Sequence, residues 1–353
     1  MSGGVDSSVA ALLLKRAGHE VLGVHLRLHD ATLGASGGCC GIREAAQAAE
    51  VADRLGIPFF VVDMRREFSA HVVEPFLKAH IEGRTPSPCI DCNRHLKFGA
   101  LLARAEAVGA DRVATGHYVR LDGPPPTLRT ALDASRDQAY FLFSVEPSAL
   151  PRLLFPLGEL RKSDVRALAS DAGLPVAKKA DSQEICFVPD DDHVAFLESR
   201  LPPRDRSGPI LDEAGRELGR HEGIHAFTVG QRRGLGIALG YPLYVVETRP
   251  ESRAVVVGPP SSLECREFFI VDQNWFDRPS RDLRVGVRVR HRGTLASARV
   301  DGAETARILL DTPLRAVTPG QAAVFYDLES SPDTGSRVLG GGWITRAPPP
   351  ETP

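Results

Sequence analysis

Seven consecutive residues, Ser2-Gly3-Gly4-Val5-Asp6-Ser7-Ser8, join small side chains, hydroxyls and one carboxylate directly ahead of an apolar helical pattern. Glycines let main-chain N–H groups close on an anion at the positive end of a helix, which is the chemistry of a phosphate-binding loop. The lysine of the G-x-x-x-x-G-K-[ST] loop is missing. Its absence points away from γ-phosphate transfer and towards a grip on pyrophosphate, with Asp6 available to help hold Mg²⁺. Read alone, the same residues also make a glycine-rich helix cap.

Thr85-Pro86-Ser87-Pro88-Cys89-Ile90-Asp91-Cys92-Asn93 runs into a helical pattern that starts at Arg94-His95-Leu96-Lys97-Phe98. Cys92 is thereby placed beside a helix N-terminus with Arg94 and Lys97 nearby, and both effects favour thiolate. A C-x-x-C pair is equally half of a zinc site or a pair of inert thiols. No second C-x-x-C and no His pair at ligand spacing completes a zinc site. Cys186 follows in Asp181-Ser182-Gln183-Glu184-Ile185-Cys186-Phe187, where a cysteine between Ile and Phe is by itself a packing residue.

The elements that must position these residues follow from periodicity. Residues 5–17, 43–55, 68–82 and 94–108 carry helical spacing, and 21–28, 59–63 and 112–116 read as strands. Ser163 reads as the N-cap of a helix ended by Gly173. Strands separated by helices imply a parallel sheet, hence an α/β N-terminal domain over 1–195. Beyond it the texture changes to short β-branched runs between Gly and Pro (244–247, 254–257, 268–271, 284–291, 306–310 and 322–326). A small connecting domain over 196–265 and a C-terminal β-barrel over 266–346 fit this pattern, with 347–353 (APPPETP) a disordered tail.

The 353 residues give room for two or three domains, and 42% hydrophobic with 25% charged residues is ordinary for globular protein. No apolar run approaches the ~20 residues a bilayer needs, and the start lacks a basic region followed by an apolar one. Six cysteines are too few for a disulfide scaffold in a chain of this size, so a cytoplasmic protein with no membrane partner is expected. The net charge of −2 requires any polyanion to be met by local patches. One such patch runs from Arg278 to Arg299, with Arg at 278, 281, 284, 288, 290, 292 and 299 against Asp282 alone. On barrel strands this reads as a phosphate-tracking face, or else as a solvated surface; the Gln231-Arg232-Arg233 turn suggests a second contact.

In order, SGGVDSS, PSPCIDCNRHLKFG, ATGHY (114–118), RDQAYFL (136–142), DSQEICF, FTVGQRRGLG (227–236) and TPGQAAVFY (318–326) closely resemble the bacterial-type tRNA-uridine 2-sulfurtransferases. These belong to the pyrophosphate-loop ATPase superfamily, with an adenine nucleotide hydrolase-like first domain. The resemblance covers nearly the whole chain. It implies that Ser2, Gly3, Gly4, Val5, Asp6 and Ser7, with Leu26 and Gly116, bind ATP. It makes Cys92 the nucleophile and Cys186 the persulfide carrier. Ser87, Pro88 and Cys89 would face the target base, and His117, Arg136, Asp137, Gln138, Arg290, His291 and Gln321 would touch tRNA.

The implied activity is ATP-dependent 2-thiolation of the wobble uridine U34, which an anticodon loop can splay into a pocket. The C2 oxygen is adenylated and a cysteine persulfide delivers sulfur, giving 2-thiouridine, AMP, pyrophosphate and a transient Cys92–Cys186 disulfide. A persulfide-donating sulfur carrier or cysteine desulfurase is the implied partner beside tRNA. An iron–sulfur cluster on Cys89, Cys92 and Cys186 is a further sulfur-carrying route. Two departures stand out. Family members have a strand before the loop, whereas this chain begins at Met1, so an upstream start or a truncated product, with a less firmly placed loop, is expected. Cys89 occupies a position that is aspartate in some members, so a general-base role there does not transfer. The competing expectations are another pyrophosphate-loop adenylating enzyme and an RNA-binding protein with a degenerate ATP site.

Overall fold

The computed structural model describes residues 1–29, 42–181, 185–202, 205–277, 283–302, 305–330 and 335–346. Cys39, Cys40, the 182–184 part of the DSQEICF segment, Arg278, Arg281, Asp282 and the 347–353 tail lie outside these residues. The chain forms two compact units. One comprises Met1–Val73, Pro88–His193 and Glu329–Val338; the other comprises Glu74–Ser87, Val194–Leu328 and Leu339–Pro353.

The first unit is α/β. Helix α1 (Val5–Arg16) starts at an extended Gly4, carries Asp6 in its first turn and Lys15 and Arg16 in its last, matching the helix dipole at both ends. Its Val5, Val9 and Leu12 pack with Val51, Leu55, Val165, Ala169 and Leu174 into one core. Strands β1 (Gly23–Arg27) and β2 (Phe59–Asp63) pair in parallel, joined through helix α2 (Ile42–Leu55). β3 (Val113–Ala114) is followed by the antiparallel hairpin β4 (Val119–Asp122) and β5 (Thr127–Thr130), and β3 pairs in parallel with β6 (Leu153–Leu154).

The expected parallel sheet is therefore present as two separate parallel pairs among the described residues. Met1 donates its ammonium to the Val24 carbonyl and sets its own carbonyl 3.0 Å from His25 Nδ1. The helix expected from Ser163 instead spans Lys162–Asp171 with Arg161 at its N-cap. Asp133 accepts the Lys162 N–H at 3.0 Å and Asp164 reaches back to the Arg161 N–H at 3.3 Å, so these orphan donors are met without Ser163.

The second unit holds two β assemblies. β7 (Gly208–Leu211), β8 (Glu217–His221), β9 (Tyr244–Arg249) and β10 (Ala254–Gly258) form a sheet in the order β8-β7-β10-β9 around Ile210, Phe227, Val245, Val255 and Val257. β11 (Glu264–Trp275), β12 (Leu283–Arg288), β13 (Ala296–Asp301), β14 (Ala306–Arg315), β15 (Ala322–Tyr326) and β16 (Val338–Thr345) close into a six-stranded barrel among the described residues. Along β13 the alternation is visible residue by residue: Ala296, Ala298 and Val300 face the core, and Arg299 and Asp301 face out. Closure leaves no free edge to template aggregation.

Candidate active site

The loop is held by its own hydroxyls. Ser7 and Ser8 donate to the Gly4 carbonyl at 3.2 and 2.9 Å, and the Ser2 N–H donates to Ser7 Oγ at 3.1 Å. Gly3 has φ +70°, and a Cβ there would lie 2.4 Å from the Glu44 carbonyl oxygen, so no other residue fits. Gly116 presses on the loop from the other side: its Cβ would meet the Asp6 carbonyl carbon and the Ser7 nitrogen at 2.7 Å. A side chain at position 116 would therefore displace the loop. Leu26 sits near the end of β1, paired with Val62.

Asp6 is the centre of a charged cluster. Its Oδ1 and Oδ2 accept from Lys162 Nζ at 2.7 and 2.8 Å, and Tyr118 Oη donates to Oδ1 at 2.8 Å. The same ammonium lies 2.8 Å from Asp181 Oδ1, and Arg136 and Arg166 reach Asp181 at 2.8 and 3.0 Å. Burial works against the Asp181 carboxylate, yet the Lys162 bond and the charges of Lys162, Arg136 and Arg166 outweigh it and hold its pKa below the ordinary range. Burial first, then the Asp6 charge and the bond to Asp6, hold the Tyr118 phenol well above its ordinary value, so it stays a donor. Lys179 Nζ donates to the Gly3 carbonyl at 3.1 Å and to Gln47 Oε1 at 2.5 Å. Two ammonium groups from elsewhere in the chain thus flank a loop that has no lysine of its own.

The Asp6 carboxylate accepts from an ammonium and a phenol, and no group of three His, Cys, Asp or Glu side chains among the described residues is placed to hold a metal ion. The described residues thus assemble no all-protein Mg²⁺ site at Asp6; an ion carried by ATP is a separate expectation. The same test goes against an iron–sulfur cluster, because Cys89, Cys92 and Cys186 are all described and do not converge on one point. Cys89 is exposed where Cys92 is buried.

The helix that carries the cysteines begins earlier than its pattern suggests. Pro88–Asp91 is α-helical, Cys92–Ala100 continues as π-helical turns and Leu101–Ala107 returns to α-helix. Proline suits a first helical position, so the start falls at Pro88 rather than after Asn93. Cys89 consequently lies in the first turn and Cys92 one turn further in, which weakens the helix-terminus argument for a Cys92 thiolate. Beside Cys92, buried Asn93 donates Nδ2 to the Phe141 carbonyl at 3.1 Å and accepts from Lys97 Nζ at 2.9 Å. Cys186 lies in a turn closed by the Val188 N–H on the Ile185 carbonyl at 3.0 Å. Its neighbour Phe187 packs edge-on to Phe68 with ring centroids 5.4 Å apart. None of Cys89, Cys92, Cys186 and Cys265 is in a disulfide with another described cysteine.

The family comparisons meet this geometry along the whole chain. Models described as tRNA methyl transferase HUP domain, tRNA methyl transferase PRC-barrel domain and aminomethyltransferase β-barrel domain match residues 1–190, 194–259 and 265–344. The tRNA-specific 2-thiouridylase MnmA of Chloroflexus aggregans is 47% identical over 355 residues, covering 98% of this chain and 97% of that protein. Those of Solibacter usitatus and Paramagnetospirillum magneticum are 45% and 47% identical, each over 98% of this chain and 97% and 94% of the relative. The chain belongs to the tRNA-specific 2-thiouridylase family. Its architecture is a HUP N-terminal domain, a PRC-barrel middle domain and a C-terminal six-stranded β-barrel.

The residues that the family resemblance assigns to tRNA divide by their surroundings. In the first unit, half-buried His117 sets Nδ1 2.7 Å from Thr115 Oγ1 and its ring against Phe98 and Phe155. Desolvation, then the Lys97 charge, depress its pKa well below the ordinary value, so it presents a neutral ring. Buried Asp137 accepts the Ala131 and Ala139 N–H groups, and Gln138 Oε1 accepts the Tyr118 N–H at 2.9 Å. Their side chains hold the turn, and Arg136 holds Asp181. In the second unit, Gln321 Nε2 donates to the Thr85 and Pro86 carbonyls just before Ser87, whereas Pro88 and Cys89 belong to the first unit.

The arginine run is not one uniform face. Arg284 pairs with Asp311, Arg307 binds Glu267 at 2.6 Å and Arg288 stacks on Tyr326 at 5.0 Å. Exposed Arg290 and Arg292 lie beyond the end of β12, on either side of His291. Gln231 ties its own turn through Thr228 and Arg233, leaving Arg232 and Arg233 exposed. Sequence reading missed Tyr118, Lys162, Lys179 and Asn93. One signal was available for the lysines: the chain has 37 arginines and six lysines, and three of the six stand at 97, 162 and 179.

Proposed function

We propose that the protein converts the wobble uridine U34 of tRNA to 2-thiouridine, using ATP to activate the C2 oxygen. The observation that carries this reading is one compact unit holding a lysine-free phosphate loop together with Cys92 and Cys186. A uridine C2 carbonyl is a poor electrophile and its oxygen cannot leave as hydroxide at useful rates. Adenylation transfers AMP to that oxygen and releases pyrophosphate. Ser2 to Ser7 with Gly116 and Leu26 form the ATP site, where main-chain N–H groups at the start of α1 meet the phosphates. Mg²⁺ enters as the counterion of ATP.

The terminal sulfur of a Cys186 persulfide then attacks C2, and AMP departs with the C2 oxygen. The Cys92 thiolate attacks the Cys186 sulfur, breaking the S–S bond and leaving the transferred sulfur on C2. The resulting Cys92–Cys186 disulfide is returned to thiols by a thiol reductant, and Cys186 is recharged by a persulfide-donating sulfur carrier or cysteine desulfurase. Ser87, Pro88 and Cys89 face the base. His117, Arg136, Asp137, Gln138, Arg290, His291 and Gln321 form the tRNA surface, the buried members through the backbone they hold in place. The catalytic work falls to 1–195, with 196–265 and 266–346 gripping tRNA, in the cytoplasm. No helix among the described residues is long and apolar enough to cross a membrane.

Nucleoside mass spectrometry of unmodified tRNA incubated with the protein, ATP, Mg²⁺ and a persulfide donor tests the proposal. ATP-dependent 2-thiouridine at position 34 is expected. Uridine left unchanged while pyrophosphate is released would reassign the protein to a different adenylation.

A further inference from the structure

Asn93, the residue after Cys92, is 2% exposed and has both ends of its amide engaged. Nδ2 donates to the Phe141 carbonyl at 3.1 Å and Oδ1 accepts from Lys97 Nζ at 2.9 Å. An ammonium only donates and a carbonyl only accepts, so a single orientation of the amide satisfies both. Phe141 lies in the 3₁₀ turn Ala139–Leu142, whose Ala139, Tyr140 and Leu142 are buried, and its N–H returns to the Gln138 carbonyl at 3.0 Å.

At the head of that turn Gln138 exchanges two bonds with Tyr118. Its Oε1 accepts the Tyr118 N–H at 2.9 Å and its own N–H donates to the Tyr118 carbonyl at 3.0 Å. Tyr118 is buried in the core with Val5 and Val9 of α1 and donates its hydroxyl to Asp6 Oδ1 at 2.8 Å. The path from the phosphate loop to Cys92 thus runs through hydrogen bonds and one packed turn, and Gln138 to Phe141 adds only about 6 Å along the turn axis. All of these residues belong to the first unit. We propose that Asn93 is a positioning residue that holds the helix of Cys92 in fixed register with the phosphate loop, with Gln138 and Tyr118 completing the brace.

Register matters because adenylation and sulfur transfer act on one carbon. The loop brings ATP to the C2 oxygen, and Cys92 has to meet the persulfide sulfur while that base is still adenylated. A misplacement of about 1 Å in such an arrangement costs on the order of 100-fold. Cys92 also opens the π-helical stretch Cys92–Ala100, a rare geometry found mostly at functional sites, and the Asn93 bridge fixes its first turn from outside the helix.

This inference rests on the assignment of Cys92 as the nucleophile, and its first readout needs no thiolation. In the full-length protein, alkylation of Cys92 by iodoacetamide is followed by peptide mass spectrometry. Asn93→Ala is expected to speed it about fivefold or more, because Cys92 is buried while the bridge holds. The second readout measures pyrophosphate release and 2-thiouridine on the same tRNA. For Asn93→Ala the KM for ATP and the rate of pyrophosphate release should stay within about threefold while 2-thiouridine formation falls on the order of 100-fold. A residue that merely supports the fold would lower both together.

Tyr118→Phe removes one oxygen, leaves Lys162 on Asp6 and keeps the ring in the core, so it carries the test if Asn93→Ala does not fold. It should lower the yield of 2-thiouridine per pyrophosphate about threefold or more, although the lost bond is to the loop. In the double variant the yield should match that of Asn93→Ala within about twofold, since the register is already lost. Losses that multiply, or an unchanged yield in Tyr118→Phe, would overturn the brace, as would Cys92 alkylation indifferent to Asn93→Ala. Faster alkylation in a protein that makes no 2-thiouridine would instead defeat the proposed function and leave the positioning of Cys92 by Asn93 standing.

Discussion

Gln321 Nε2 donates to the Thr85 carbonyl at 2.9 Å and reaches that of Pro86 at 3.4 Å. Thr85 is also gripped by its N–H on the Pro319 carbonyl at 3.0 Å and by its hydroxyl on Thr228 at 3.3 Å. Gly320, at φ +90°, passes so close that a Cβ would lie 3.0 Å from the Thr85 nitrogen. The 318–321 turn therefore fixes the main chain immediately ahead of Ser87, the first residue assigned to the target base. Gln321→Ala should cost about 1 kcal/mol of stability, the worth of one such bond, and slow thiolation. Gln321→Glu should do worse, since a carboxylate would face two carbonyl oxygens. Thermal unfolding together with single-turnover thiolation checks both, and wild-type behaviour of Gln321→Glu would show the clamp to be dispensable.

Sulfur transfer needs two thiols at one carbon. Cys92→Ser and Cys186→Ser should each abolish 2-thiouridine while tRNA binding stays within about twofold. Cys265 is a control: it lies in the second unit, donates to the Glu267 carbonyl at 3.0 Å and has its pKa raised by burial. Cys265→Ser should thiolate normally. Nucleoside mass spectrometry reads all three, and activity in either of the first two would remove the two-cysteine mechanism.

The barrel arginines differ in how much charge they have to spare. Arg284 and Arg307 are neutralised by Asp311 and Glu267, whereas Arg290 is exposed beyond the end of β12. On a log-log plot of tRNA affinity against salt, Arg290→Ala should shallow the slope by about one unit. Arg284→Ala should leave it unchanged. Equal changes in the two variants would mean that the Asp311 pair does not persist when RNA approaches.

Burial, then the charges of Arg292 and Arg288, push the His291 pKa from 6.5 down to about 4. As pH falls through 6.5 the unfolded chain takes up this proton, while the folded barrel does not until about pH 4. The contribution to stability is therefore full above pH 6.5, declines between 6.5 and about 4, and is lost below. Thermal unfolding from pH 7.5 to 4 should show a shallower acid loss for His291→Gln than for the unsubstituted protein. Parallel curves would place His291 in ordinary solvent.

What could be read in the sequence was what the chain decides within a few turns. The loop, α1, β2, the change to β-rich texture near residue 195 and the cysteine segments each depend on residues close together along the backbone. Glycine freedom, helical spacing and β-branching act over that range. Even there, Pro88 moved a helix start by six residues and Asp133 and Asp164 took the capping duty expected of Ser163.

The charged cluster was beyond reach for a different reason. Lys162 meets Asp6 across 156 residues and Asp181 across 19, and nothing in the residues around any of the three distinguishes a buried ion pair from a solvated one. The same holds for Arg284 and Asp311, which look like part of a free basic run until β12, β13 and β14 bring them together. Side-chain charge is written in the sequence. Which opposite charge cancels it, and how much water is left between them, is set only when distant segments pack, and on that depends whether a residue is free to meet RNA or is spent holding a loop.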